Sequence, residues 1–287
     1  MTVLEVIQRS AEFLTKKGVE SPRLQVELML AHLLQMKRMS LYLNFERALT
    51  PKELDDLREM VRRRGQREPL QHILGSTSFC GLEMAVNSDV LIPRPETEFL
   101  AELGWEFLNS QPASPAPPTA LDFGTGSGCL AITLSVKCLI AEVHAIDISP
   151  EALGLARLNA ARHQVENRIR FHTGDGFTAL PAGLQFNLII TNPPYISSAE
   201  IETLEPEVRD HDPRRALDGG PDGLDFYRLL AKEAGKYLKA GGKIMLEFGE
   251  GQAESIRILF EQQKWIVEAI KADYSGRLRI MIARRTD

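Results

Sequence analysis

Cysteine is scarce: Cys80, Cys129 and Cys138 are the only three in 287 residues. They form no Cys-x-x-Cys pair, and their odd number fits neither a disulfide framework nor a zinc knuckle. They are expected to be reduced, mostly buried thiols. Long apolar runs are also lacking. No stretch approaches the roughly 20 uninterrupted apolar residues of a membrane span. Glu5, Arg9, Glu12, Lys16 and Lys17 interrupt the apolar pattern of residues 1–18, which argues against a signal peptide. The expectation is a cytoplasmic protein without membrane attachment. The six histidines, His32, His72, His144, His163, His172 and His211, are scattered without metal-ligand spacing, so no metal is assigned.

A surplus of positive charge is missing from most of the chain. Residues 1–80 hold 13 Lys and Arg against 10 Asp and Glu, whereas residues 81–287 hold 21 against 29. A catalytic half that gripped a DNA duplex would need a basic face to offset phosphate charge. Stable nucleic-acid binding is therefore not expected. With 44% hydrophobic and 25% charged residues, the composition falls among ordinary soluble globular chains. At roughly 150 residues per domain the length suggests two domains.

Residues 2–17 and 22–35 place apolar side chains at helical intervals, with Ser21-Pro22 as a cap followed by a first-turn proline. Thr50-Pro51 repeats that start signal ahead of residues 52–64. Residues 1–68 are therefore expected to form a small all-helical domain, either a plain compact bundle or a partner-binding module. From Leu70 to Val86 the pattern becomes short and strand-like, with Gly75 and Gly81 as breakers. It predicts a β-hairpin connector over residues 69–92. The remainder, 93–287, opens with a helix over 95–109 and a Pro-rich connection over 110–119. Apolar runs then alternate with helical patterns, which predicts a parallel sheet. The runs at 266–270 and 277–283 are expected to pair as an antiparallel edge hairpin.

Asp122-Phe123-Gly124-Thr125-Gly126-Ser127-Gly128 sits where the first strand of that sheet turns into its helix, the place where such a sheet binds its ligand. The spacing is Gly-x-Gly-x-Gly. It is not the Gly-x-Gly-x-x-Gly of dinucleotide binders, and no Lys-Ser/Thr follows to make a phosphate-cradling loop. This tilts the reading towards S-adenosylmethionine. Asp147 ends the second strand about 20 residues further on, where a carboxylate can accept both ribose hydroxyls. Ser149 is the better N-cap for the helix that follows. Asp175 can accept from an adenine amino group, with the Gly176 backbone and Phe177 against the ring, although a plain turn explains the same residues. Asn192-Pro193-Pro194-Tyr195 follows the fourth strand, and its two prolines hold the backbone extended. The Asn192 side-chain oxygen and the Pro193 carbonyl can then accept the two hydrogens of one NH2 group while Tyr195 stacks on the planar group behind it. No side chain near this tetrapeptide reads as a nucleophile or general base.

The chain resembles the HemK or PrmC family, protein-(glutamine-N5) methyltransferases that act on peptide chain release factors. The resemblance runs over nearly the whole chain. It rests on Glu68-Pro69-Leu70-Gln71-His72-Ile73-Leu74-Gly75, on Leu91-Ile92-Pro93-Arg94-Pro95-Glu96-Thr97-Glu98, on the glycine loop, on Asn192 to Ile196 and on Gly219-Gly220-Pro221-Asp222-Gly223-Leu224. It implies a Rossmann-like class I methyltransferase sheet, mostly parallel with an antiparallel C-terminal strand, preceded by a helical domain and a hairpin that help to hold the factor. It implies S-adenosylmethionine as cofactor and, as substrate, the glutamine in the Gly-Gly-Gln motif of class 1 release factors. Gly124, Thr125, Gly126, Ser127, Gly128, Asp147 and Asn192 would line the cofactor site, and Asn192, Pro193, Pro194 and Tyr195 the glutamine site. Arg94, Glu96 and Glu98 fall where the family closes over the site, and they also suit the first turn of a helix. Two positions depart from the pattern: Phe123 stands where Leu is usual, and Gly176 where a bulkier residue tends to follow the aspartate. A monomer is expected. The rival readings are a nucleic-acid adenine-N6 or guanine-N2 methyltransferase, whose substrate bases present the same planar NH2, and a non-catalytic cofactor-binding adaptor.

Overall fold

The computed structural model describes residues 1–112 and 115–286; Ala113 and Ser114, inside the Pro-rich connection, and Asp287 lie outside the described residues. The chain divides into two compact units, one of Met1–Ser76 with Glu205–His211, the other of Thr77–Leu204 with Asp212–Asp287.

In the first unit, α1 (Val3–Lys16) and α4 (Pro51–Gly65) both start from threonine capping boxes. The Thr2 and Thr50 hydroxyls accept from the third helical N–H while Glu5 and Glu53 reach back, which satisfies donors that a helix start leaves open. Between them run α2 (Pro22–Leu33) and the short α3 (Arg38–Leu41). Ser21 does not cap α2: its backbone is left-handed, φ 46°, and its hydroxyl makes no capping bond. The start is set instead by Pro22, whose ring fixes the first helical φ. Val3, Ile7, Leu14, Val26, Met29, Leu30, Leu41 and Leu57 form the core. The sequence reading began a strand at Leu70, but Leu70–Leu74 is a helix, α5. Gly75, at φ 75°, ends that helix, and Ile73 joins the helical core, so its apolar residues follow a helical period rather than alternating. The later segment Glu205–His211 is held here by Glu207, which accepts from Arg64 at 2.6 Å and from Arg67 at 2.6 and 2.7 Å.

Strands β1 (Ser76–Phe79) and β2 (Leu82–Ala85) form a two-stranded sheet, and Phe79 and Met84 are buried in the core of the second unit. After α6 (Pro95–Asn109) the chain alternates: β3 (Thr119–Phe123), α7 (Cys129–Lys137), β4 (Glu142–Asp147), α8 (Pro150–Arg162), β5 (Ile169–Thr173) and β6 (Phe186–Thr191). There follow α9 (Pro206–Arg209), which belongs to the first unit, then α10 (Asp225–Glu233), β7 (Leu238–Glu247), α11 (Ala253–Gln262), β8 (Trp265–Ala272) and β9 (Leu278–Arg285). The sheet order is β5-β4-β3-β6-β7-β9-β8. Pairing is parallel from β5 to β7 and antiparallel through β9 and β8.

Residues along these strands face opposite sides in turn. Ala120, Leu188, Ile190 and Met245 pack under α6 and α7, whereas Leu121, Ile189, Ile244 and Leu246 pack under α10 and α11. The last two strands pair as the expected antiparallel hairpin at one edge of the sheet. β9 is inserted between β7 and β8, with Ile280, Met281, Ile282 and Ala283 buried on both faces. β8 is therefore the strand at this edge, opposite β5 at the other, and its outward residues are partly exposed.

Candidate active site

The carboxyl ends of the parallel strands carry the candidate residues. At the end of β3, Asp122 is buried and its carboxylate accepts from the Thr125 hydroxyl at 2.6 Å and from the Ala131 N–H at 3.0 Å. Burial pushes its carboxyl up to about 7 against those two bonds. Asp122 thus ties the glycine loop to the start of α7 from below. From the neighbouring strand, the Ile146 carbonyl accepts from the Gly124 and Thr125 N–H groups. Gly124 and Gly126 are left-handed, φ 73° and 53°, and a side chain built on either would meet nothing within 4 Å. Their backbone therefore borders open space, a cradle for a ligand rather than a packed turn.

Asp147 ends β4. One of its oxygens accepts from the Gly126 N–H at 2.8 Å and the other from the Ser149 N–H at 2.9 Å. Each oxygen keeps a lone pair for a further donor. The Ser149 hydroxyl accepts from Ala152 N–H at 3.1 Å, so the capping work falls to Ser149 and leaves Asp147 available to a ligand.

Gly128 serves another purpose. A Cβ there would lie 3.0 Å from Ile132 Cδ1 and 3.1 Å from Ala156 Cβ, so the residue permits α7 and α8 to pack closely. It does not line the cleft described next. Asn159, fully buried on α8, completes the support by accepting from the Ala85 N–H and donating to the Ala85 and Ser127 carbonyls.

Gly124, Thr125, Gly126, Ser127, Asp147, Asp175, Gly176, Asn192 and Pro194 line one open cleft, together with Arg94, Thr97, Phe123 and Ile148. The two departures from the family pattern meet inside it. A Cβ at Gly176 would lie 3.4 Å from the Phe123 ring; the large side chain at 123 occupies the space next to the small one at 176. Phe123 also packs on Phe177, with ring centroids 4.8 Å apart.

Asn192 extends from β6. Its Nδ2 donates to the Thr97 hydroxyl at 3.0 Å, which turns Oδ1 the other way. Pro193 is buried, while Pro194 and Tyr195 are partly exposed. The Tyr195 phenol is pushed up to about 12, chiefly by burial and further by the Glu247 carboxylate, so it remains protonated at neutral pH.

The following chain is zipped to residues 217–220. Ile196 N–H donates to the Leu217 carbonyl and Gly219 N–H to the Ile196 carbonyl. Here the glycines of Gly219-Gly220-Pro221-Asp222-Gly223 find their reason. A Cβ on Gly219 would sit 2.9 Å from the Pro194 carbonyl oxygen, and one on Gly223 2.4 Å from that of Tyr195. Gln252 closes the clamp, donating to the Tyr195 carbonyl at 2.9 Å while its Oε1 accepts from Gly249 N–H.

Of the residues entering the unit, Glu98 accepts from the Cys80 N–H at 2.8 Å, and Arg94 donates to the buried Asp212 at 2.6 Å. Neither side chain caps α6. Sequence reasoning missed Thr97, Glu247 and Gln252 as site supports. Glu247 had a readable signal, a carboxylate closing the otherwise apolar run Ile244-Met245-Leu246, and Thr97 lay within the motif of residues 91–98, whereas Gln252 gave none without the fold. Among the described residues no group of three or more His, Cys, Asp or Glu is placed to hold a metal ion, and no helix is long and apolar enough to cross a membrane.

A seven-stranded sheet with an antiparallel insertion, a glycine loop after its first strand, a carboxylate ending the second and Asn-Pro-Pro-Tyr after the fourth define a class I S-adenosylmethionine-dependent methyltransferase. The fold is similar to that of a methyltransferase from Pyrococcus furiosus, with a TM-score of 0.53 at 19% identity over 77% of this chain and 97% of that one. Residues 5–75 match the PrmC N-terminal domain and residues 103–206 the methyltransferase small domain. The release factor glutamine methyltransferase of Geobacter sulfurreducens is 45% identical over 91% of this chain and 89% of its own length. That of Deinococcus radiodurans is 38% identical over 99% of each. The chain belongs to the release factor glutamine methyltransferase family.

Proposed function

We propose that this chain transfers a methyl group from S-adenosylmethionine to the side-chain amide nitrogen (N5) of the glutamine in the Gly-Gly-Gln motif of class 1 peptide chain release factors, and so modulates translation termination. The observation that carries this reading is the single cleft in which the glycine loop, Asp147 and Asn192 meet. Bound S-adenosylmethionine supplies an electrophilic sulfonium methyl.

In this reading Gly124, Thr125, Gly126 and Ser127 form the cradle and Gly128 its packed end. Asp147 accepts from the ribose hydroxyls, and Asp175 with Gly176 meets the adenine. Asn192 Oδ1 and the Pro193 carbonyl accept the two amide hydrogens of the glutamine. Pro194 keeps that backbone extended and Tyr195 stacks on the amide plane. An amide nitrogen is a weak nucleophile because its lone pair is delocalised, and two fixed acceptors favour the positive charge that develops on it. The Tyr195 phenol stays protonated, so it is not the group that receives the departing amide proton.

Residues 1–68 are proposed to hold the factor and 69–92 to connect them to the catalytic part, 93–287. The chain is proposed to act as a cytoplasmic monomer without a stable nucleic-acid partner.

Transfer of labelled methyl to purified release factor tests the reading. Label on the intact factor, lost when the Gly-Gly-Gln glutamine is replaced by alanine, supports it. Label appearing only on nucleic acid overturns it.

A further inference from the structure

The Asn192 amide faces a problem of polarity that its shape cannot solve. The oxygen and nitrogen of an asparagine side chain are nearly the same size, so only hydrogen bonding selects which one points at the ligand. An oxygen presented to an NH2 group accepts from it; a nitrogen presented there sets donor against donor. Thr97 and Glu247, both 2% exposed, lie directly behind Asn192. Asn192 Nδ2 donates to Thr97 Oγ1 at 3.0 Å, and Thr97 Oγ1 donates to Glu247 Oε2 at 2.7 Å.

We propose that Thr97 and Glu247 are positioning residues that fix the orientation of the Asn192 amide, so that its oxygen faces the substrate and the site selects an acceptor bearing two hydrogens on a planar nitrogen. The inference rests on the proposed role of Asn192 as an acceptor for the glutamine amide.

A hydroxyl has one hydrogen. An ionised carboxylate can only accept, so it takes the Thr97 hydrogen and leaves Oγ1 with lone pairs towards Asn192. Only Nδ2 satisfies them. Were Glu247 protonated, it could donate to Thr97, whose own hydrogen would then be free to meet Asn192 Oδ1, and the reversed amide would be satisfied equally well. The direction of the relay thus depends on the charge of a side chain that touches no ligand.

Glu247 lies at the end of β7, and four elements face it. Arg279 on β9 favours its ionised form, whereas Glu96 on α6 opposes it. Tyr195 lies close enough for its phenol to be perturbed by Glu247, and Tyr227 on α10 donates to its backbone carbonyl at 2.9 Å. Burial pushes the carboxyl up to about 7, against the hydrogen bonds from Thr97 and the Asn192 side chain and the charge of Arg279. A carboxylate buried at such desolvation cost against the Thr97 hydroxyl and the Asn192 amide, with Arg279 acting through space, is poorly explained by stability, since burying a charge without full pairing is unfavourable.

The test uses the full chain and its Thr97→Val, Thr97→Ser and Glu247→Gln variants, with kcat and KM on release factor, cofactor Kd, Tm and hydrogen exchange of the Asn192 side-chain NH2 by NMR. Thr97→Val is expected to lower kcat at least tenfold, a larger change than in cofactor Kd, and to reduce protection of the Asn192 NH2. Thr97→Ser, which keeps the hydroxyl, restores both. The wild-type kcat is expected to fall as pH drops through about 7, and Glu247→Gln to remove that limb.

Unchanged Asn192 protection in Thr97→Val, or equal losses of Tm and kcat in the Val and Ser variants, would overturn the proposal. The exchange readout needs no methyl acceptor. If the wild-type chain fails to label release factor, the proposed function falls, while the orientation of the amide is still read directly.

Discussion

A side chain in this site acts largely through what holds it still. Asp147 binds Gly126 and Ser149 backbone N–H groups with its two oxygens, so its remaining lone pairs point in fixed directions. Replacing it with alanine is expected to weaken cofactor binding by roughly 30- to 100-fold, the loss of one or two charge-assisted hydrogen bonds, with a smaller effect on kcat at saturating cofactor. Calorimetric titration checks this, and unchanged affinity would remove Asp147 from the ribose site. Phe123 and Gly176 give a second prediction. Gly176 is left-handed, φ 53°, and faces the Phe123 ring at 3.4 Å from its virtual Cβ. Gly176→Phe alone is expected to reduce cofactor affinity, and adding Phe123→Leu to recover part of the loss, because contacting residues couple in double-mutant cycles. Strict additivity would show that the two positions are independent.

Elements are joined to the site by few, buried connections. Asn159 on α8 holds both the Ala85 backbone at the end of β2 and the Ser127 carbonyl of the glycine loop. Asn159→Leu strands one N–H and two carbonyls in the interior, at about 1–3 kcal/mol for each unsatisfied group. A fall in urea midpoint and weaker cofactor binding are expected together; stability loss with normal binding would mean that the loop keeps its shape unaided. At this scale the sequence was readable wherever one local signal sufficed. Thr50-Pro51 marked the start of α4 because a capping box is a short-range device. Ser21-Pro22 misled because a serine caps only when its backbone is extended, and Ser21 is left-handed. Leu70–Leu74 read as a strand because five apolar-rich residues carry no decisive period.

Across the molecule, charge is arranged by unit. In the unit of Met1–Ser76 and Glu205–His211, Glu207 is flanked by Arg64 and Arg67. Partial burial raises its carboxyl, but the hydrogen bonds from Arg67 and Arg64 outweigh this and hold it at about 2, below the ordinary 4.5. A depressed carboxyl stabilises the fold above its unfolded value, and that contribution is lost as pH falls through the folded one. Stability is therefore expected to decline between about pH 4.5 and 2 partly through this group. Glu207→Gln should be less stable at neutral pH and show a shallower acid limb. Circular dichroism against urea at several pH values measures it, and parallel curves for wild type and variant would exclude the linkage.

The sequence by itself determined the alternation of strands and helices, the glycine loop, Asp147 and the Asn192–Tyr195 tetrapeptide, because each is written in adjacent residues or a short fixed spacing. It also carried the family resemblance, through motifs spread from Glu68 to Leu224. Only the tertiary structure decided that β9 enters the sheet between β7 and β8, since antiparallel pairing to either neighbour satisfies the same local pattern. It alone joined Thr97 to Glu247 across 150 positions, set Gly219 and Gly223 against the Pro194 and Tyr195 carbonyls, and brought Phe123 to Gly176. Such pairs depend on where the sheet carries distant segments, and no periodicity within one segment encodes a contact with another.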